Sequence, residues 1–545
     1  MTSDKNARRN FLKSASAGIV SSAAASAAMF GPPLNASTTT AQVHTTTSHV
    51  HDVTLFGAKG DGKTLDSPVI NKAIEAAAAA GGGTVFFPAG TYLCYSIHLR
   101  SNVALHLDHA ATILAADPPA DSPSAAPAYD LAESNSPWES YQDFGHNHWH
   151  NSLIWGEGLE NIAIYGTGLI WGKGLSRGWG PGPKAETPGV ANKSIALKNC
   201  HNVLLRDFSI LHGGHFGILA TGVDNLHIDS LKIDTNRDGM DIDCCRNVRV
   251  SNCSVNSPWD DAICPKSSFA LGYARAAEFL TIDNCYVTGA YQEGTLLDGT
   301  FKRFAPDEKV GRNGRIKLGT ESNGGFRHIT ISNCIFDGCH GLALESVDGA
   351  LLEDIVITNI TMRDIVSAPI FMRLGARMRG PEGVPVGALR RILISNLVCS
   401  NAASNICSII SGIPDHPIED IRLENILIQH QGGGAAESAW LHLPEKEKDY
   451  PEPTMFGATP AHGFYLRHVQ HLRMNGVKII TQQPDARPAF ALDDVQSTDF
   501  FQVKAPHPAT PGVPVFSLKN VQNFSVGRSK PVPDTDLDAA EEKEL

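Results

Sequence analysis

Three aspartates carry the first chemical signal in this 545-residue chain. Asp238 lies in Asn236-Arg237-Asp238-Gly239-Met240-Asp241-Ile242-Asp243, and an Asp pair lies in Trp259-Asp260-Asp261-Ala262-Ile263-Cys264. From 238 to 260 is 22 positions. If a coil takes about that many residues, Asp238 and the pair stand on neighbouring strands roughly 4.8 Å apart. Carboxylates that close resist full ionisation, so one tends to keep a proton. A protonated carboxyl beside ionised ones is what acid–base hydrolysis of a glycosidic bond requires. The same residues also admit plainer readings, as turn caps between coils or as a calcium cluster.

The elements that would position them repeat. Short β-rich runs recur with an Asn-apolar step: Asn161-Ile162, Asn202-Val203, Asn225-Leu226 and Asn247-Val248. Later versions are His328-Ile329, Asp354-Ile355, Arg391-Ile392, Asp420-Ile421 and Asn520-Val521. The spacing from 202 to 225 is 23 and from 225 to 247 is 22. A period in the low twenties without helical stretches is what a parallel β-helix needs. Alternation such as Leu226-His227-Ile228 sends one side chain in two to the core. The longer gaps at 261–313 and 430–465 imply inserted loops. Ser67 to Ala80 reads as a helix that caps the first coil. An insertion from Ala110 to Asn151 carries Trp138, Tyr141, Phe144, His146, His148, Trp149 and His150. It reads equally as one wall of a sugar-binding cleft or as a loop packed on the coils.

The net charge of -12 argues against nucleic acid as a partner. Ala7-Arg8-Arg9-Asn10-Phe11-Leu12-Lys13 before an Ala/Ser-rich run has the order of a twin-arginine export signal. That places the folded protein in the periplasm or outside the cell. The run is too short and too mild to span a membrane, and no later segment could. The 11 cysteines include no CxxC pair and read as small buried core residues rather than metal ligands.

The two Asp segments together resemble glycoside hydrolase family 28, the polygalacturonase family, in which Asn-x-Asp is followed one coil later by Asp-Asp. The resemblance runs from the Gly-rich cap to about residue 430. It implies an all-β, right-handed parallel β-helix with an N-terminal helix-containing cap, inverting hydrolysis, and no cofactor or metal. By motif, Asp260 would protonate the leaving oxygen, Asp238 and Asp261 would activate water, and Asn236 would help hold the site. The resemblance also implies a Gly-His-Gly motif and a later Arg-x-Lys motif. Those positions fall at Asn313-Gly314-Arg315 and Ala343-Leu344-Glu345, which carry neither. Arg315-Ile316-Lys317 spells Arg-x-Lys one coil early.

The expected partner is a uronic-acid-containing polysaccharide, attacked from its ends. Its carboxylate would be held by Arg315, Lys317, Arg373 or Arg377, with Lys266 and His340 as further substrate-binding candidates. A polysaccharide lyase and a non-catalytic carbohydrate-binding β-helix stay open as alternatives. The expected divisions are a signal and linker at 1–48, a cap and first coils at 49–115, a β-helix catalytic domain at 116–525, and a charged tail at 526–545. A monomer is favoured.

Overall fold

Asparagine explains the coil. At the end of each turn the backbone must enter the left-handed region, which Asn tolerates better than most residues. Asn161, Asn202, Asn225 and Asn247 all have φ of 55–56°. Their amides also stack: Asn161 donates to Asn102 at 2.9 Å, Asn202 to Asn161 at 2.9 Å, and Asn225 to Asn202 at 3.0 Å. A second ladder joins Asn333, Asn359, Asn396 and Asn425.

The computed structural model describes residues 49–119, 127–142, 145–178, 187–235, 237–506 and 512–545. The export signal expected at 1–48 lies outside the described residues. Residues 48–545 form one unit, a right-handed parallel β-helix. Successive coils stack in register: Val203 on Leu226, then Val248, Leu280, Ile329, Ile355, Ile392, Ile421 and Leu472. Each such side chain is buried, and burying one Leu or Ile contributes about 1.5–3 kcal/mol. All 11 cysteines are buried and unbridged, as their placement in coil interiors implied.

The cap helix spans Ser67–Ala79, with Pro68 in its first turn. Ile70, Ala73, Ile74 and Ala77 form one stripe and join the same core as the coils. Ala111–Ala115 is a strand paired with Gly90–Cys94 and Leu169–Trp171, so the aromatic insertion starts after it.

The far end corrects the expected tail. Phe516–Gly527 is a strand that crosses the boundary set at 525, and Thr535–Glu544 pairs antiparallel with it. A solenoid's last coil offers unpaired backbone groups, and this returning strand satisfies them. Its Asp536, Asp538, Glu541, Glu542 and Glu544 then face outward as charges that discourage further pairing. Deleting 533–545 is expected to cause self-association, read by size-exclusion chromatography with light scattering. A truncated chain that stays as monodisperse as the full chain would refute this protective role.

Candidate active site

Six strands form the sheet that carries the aspartates: Ile97–His98, Ile154–Glu157, Lys193–Lys198, Phe216–Thr221, Asp238–Asp243 and Ile263–Lys266. Phe216 is the register partner of Asp238, and Ile263 bridges to Ile316 on the next coil. Asp238 therefore opens one strand, Asp260 and Asp261 precede the next, and Arg315 and Lys317 follow on the coil after. Gly239 N–H donates to the Asp261 carbonyl at 2.9 Å and Ser257 Oγ to the Asp260 carbonyl at 2.9 Å, which fixes the Asp pair against Asp238.

One carboxylate oxygen from each of Asp238, Asp260 and Asp261 lies within 4.8 Å of the others. The cluster anticipated from the 22-residue spacing thus exists. Its members differ in environment. Asp238 and Asp261 are buried, whereas the Asp260 side chain is 23 % exposed. Burial raises the Asp238 carboxyl well above its usual range, and Asp241 and Asp260 push the same way. Burial would raise Asp261 too, but Lys317 and Arg315 outweigh it and hold Asp261 well below the usual range. The contacts are Lys317 Nζ to Oδ2 at 3.0 Å and Arg315 Nε to Oδ1 at 2.8 Å. Asp260 is paired with Arg237, Nη2 to Oδ2, at 2.8 Å. Burial favours the protonated form of one aspartate, two cations favour the anion of another, and the third faces solvent beside a guanidinium.

A three-carboxylate set resembles a calcium cage. Here its oxygens already meet Arg237, Arg315 and Lys317, so an incoming cation would face three positive groups.

The other expected residues fall in three groups. Lys266 lies beneath the cluster, 3.1 Å from Glu321 and 3.7 Å from Asp241; burial opposes its charge, yet Asp241 keeps it well above the ordinary lysine range. Arg315 and Lys317 are buried against Asp261 itself. Arg377 pairs with Asp348 at 2.5 Å. Arg373 corrects the expectation, because its guanidinium is spent on backbone: it donates to the carbonyls of Gly412, Glu445 and Lys446 and to Ser411 Oγ. A buried arginine satisfied by carbonyls is a post that holds a loop. His340 Nδ1 lies 3.1 Å from Glu452. Asn236 lies outside the described residues.

Several site residues gave no warning in the sequence. Arg237 sits inside the quoted motif, but nothing there showed that it pairs one coil ahead. His146, from the aromatic insertion, reaches Asp241 at 3.0 Å. Burial opposes its protonation, but the Asp241 bond raises its proton affinity overall. Glu452 and Tyr450 come from the loop 431–463: Glu452 meets Arg315 at 3.2 and 2.6 Å, and Lys317 Nζ donates to the Tyr450 hydroxyl at 3.3 Å. The aromatic insertion packs on the coils, one of the two readings open for it, and also sends one side chain toward the aspartates. Trp138 donates to the Ala270 carbonyl, Trp138 and Tyr141 pack edge-on against Phe269, and Trp149 is buried, while His146 joins the site's floor.

A solenoid of stacked parallel coils defines a class, the right-handed parallel β-helix proteins. Residues 50–117 match the family described as rhamnogalacturonase A/epimerase, pectate lyase-like, and residues 187–305 match the right handed beta helix region. The chain is 24% identical to exo-poly-alpha-D-galacturonosidase of Dickeya chrysanthemi, over 63% of this chain and 60% of that protein. It is 22% identical to a probable polygalacturonase of Vitis vinifera, over 72% and 77%. It thus spans less than two-thirds of the Dickeya protein. The family 28 exopolygalacturonase structure of Yersinia enterocolitica superposes with a TM-score of 0.57 at 18% identity, covering 87% of this chain and 78% of that one. The chain is thus similar to polygalacturonases at low identity. Among the described residues no helix is long and apolar enough to cross a membrane.

Proposed function

We propose that this protein is an inverting glycoside hydrolase acting on galacturonate-containing pectic polysaccharide or oligosaccharide, and that it works outside the cytoplasm after twin-arginine export. The observation that carries the reading is the division of labour among three aspartates whose oxygens lie within 4.8 Å of one another. Asp238, whose carboxyl burial raises, carries a proton beside Asp260. Asp260, facing the cleft, gives it to the leaving glycosidic oxygen as the C–O bond breaks. Asp261, a fixed anion, orients a water molecule by accepting its hydrogen bond. The water oxygen attacks the anomeric carbon, and its proton returns to the Asp238–Asp260 pair, now doubly ionised and more basic.

Spacing alone would favour the other stereochemistry. Inverting carboxyls usually stand about 6.5–9.5 Å apart and retaining ones about 5–5.5 Å. Retention, however, needs a carboxylate able to bond the anomeric carbon. Asp261 has both oxygens engaged by Arg315 and Lys317, and Asp238 is protonated, so water is the better nucleophile. Two features support attack at chain ends: the aromatic insertion and the loop 431–463 both bring side chains up to the aspartate cluster. The names of the Dickeya and Yersinia relatives agree with an exo mode.

Product analysis on defined pectic oligosaccharides tests the reading. Expected products are saturated, released one small unit at a time, with inverted anomeric configuration by proton NMR in the first minutes, and unchanged by EDTA. An unsaturated product lost in EDTA and restored by calcium would make the protein a lyase instead.

A further inference from the structure

Arg315 and Lys317 are the cations that hold Asp261, and both are already committed to carboxylates or hydroxyls of the chain itself. The two terminal nitrogens of Arg315 take the two oxygens of Glu452 at 3.2 and 2.6 Å, and its Nε takes Asp261. His340 adds a third contact to Glu452 at 3.1 Å. Lys317 is shared between Asp261 at 3.0 Å and the Tyr450 hydroxyl at 3.3 Å, with Glu345 at 4.0 Å. Burial would raise Glu452, but Arg315 and His340 bring it down to about 2, so it is an anion at any working pH. Its side chain is 21 % exposed, comparable to Asp260, whereas those of Arg315 and Lys317 are 2 % and 3 % exposed. An incoming sugar therefore meets the anion, not the cations behind it.

The position of Glu452 is built, not incidental. Its loop is pinned by two buried arginines: Arg467 donates to the carbonyls of Leu443 and Pro444, and Arg373 to those of Glu445 and Lys446. Phe456 lies against both guanidinium groups, at 5.4 and 5.7 Å. Satisfied donors of this kind hold a loop in one place.

We propose that Glu452 makes the subsite beside Asp261, lined by Arg315, His340 and Tyr450, specific for a sugar unit that carries no charge at C6. A free carboxylate there would meet Glu452 with every nearby cation already paired, and like charges brought together are a standard device for rejecting the wrong partner. The inference rests on the hydrolase reading and narrows it: the substrate offers a uronate on one side of the scissile bond and a neutral or esterified unit on the side of Glu452.

Matched oligosaccharides decide it, in which one or the other unit flanking the scissile bond is a free uronate, its methyl ester or a neutral hexose. At one flanking position the wild-type enzyme should prefer both uncharged forms over the free acid by about tenfold or more in kcat/KM. Glu452→Gln, which keeps the shape and can keep one of the two contacts to Arg315 but not the charge, should narrow the ratio, mainly through a lower KM for the free acid. Wild-type enzyme that cleaves the free acid as well as the ester at both positions overturns the proposal. So does a Glu452→Gln ratio equal to wild type in a protein with unchanged melting temperature. If none of the series is cleaved but binding to the wild-type protein shows the same ratio, the hydrolase reading falls and the charge selection stands. Binding without a ratio removes both.

Discussion

Asp260→Asn is expected to lower turnover by roughly 10²–10⁴-fold, the usual worth of a positioned general acid, with little change in melting temperature. The asparagine keeps the shape and can still accept from Arg237, but it has no proton to give the leaving oxygen. Because the side chain is partly exposed, the substitution leaves no buried orphan. Asp238→Asn should be comparably severe. The double variant should lose little more than either single one, since the pair handles one proton as a unit. The pH profile should follow the shared proton. Asp238 is raised by burial and by its acidic neighbours, so the wild-type rate falls on the alkaline side as that proton leaves. Asp260→Asn should erase that limb from its residual rate. A variant that retains more than about a tenth of the wild-type rate on the preferred substrate would take the general-acid role from Asp260.

How far the sequence could be read depended on which residues filled structurally demanding positions. The coil was legible because Asn so often occupies the left-handed corner. One coil showed less for the same reason. The gap at 261–313 holds the inserted loops that its length implied, with a coil between them made of the strands Ala277–Asp283 and Tyr286–Thr288. Its corner residue is Phe279, at φ 57°, where no Asn announces the turn. The aspartate cluster was legible because strand stacking converts a 22-residue spacing into proximity. The partners of that cluster were not. Glu452 lies 137 residues from Arg315, and His146 lies 95 from Asp241, in loops that obey no period. Arg373, expected to hold a substrate carboxylate, instead donates to backbone carbonyls 39 to 73 residues away, which leave no trace in the sequence.

Arg315→Met should be the most destabilising single change in the site, by about 3–5 kcal/mol at neutral pH, the typical result of removing one partner from a buried ion pair. The methionine fills much of the volume, so the loss is electrostatic: Asp261 keeps only Lys317, and Glu452 keeps only His340. The pH dependence separates this cause from packing. Asp261 and Glu452 have folded-state values below their ordinary ones, Glu452 at about 2. Groups lowered in this way contribute stability that is present above the unfolded value, about 4 for such carboxyls, and is lost as pH falls toward the folded value. Arg315→Met raises both folded values and so removes much of that contribution. The gap in melting temperature between wild type and variant should therefore be widest near pH 7 and should shrink from pH 5 to pH 3, as protonated carboxyls cease to need the guanidinium. Asp238 runs the other way, since its raised value makes ionisation costly above about pH 4, but it does so in both proteins and largely cancels from the difference. Lys317→Met should show the same narrowing through Asp261 alone. A melting-temperature gap for Arg315→Met that is as wide at pH 3 as at pH 7 would mean that the arginine holds the site by packing, and that Asp261 owes its charge to Lys317.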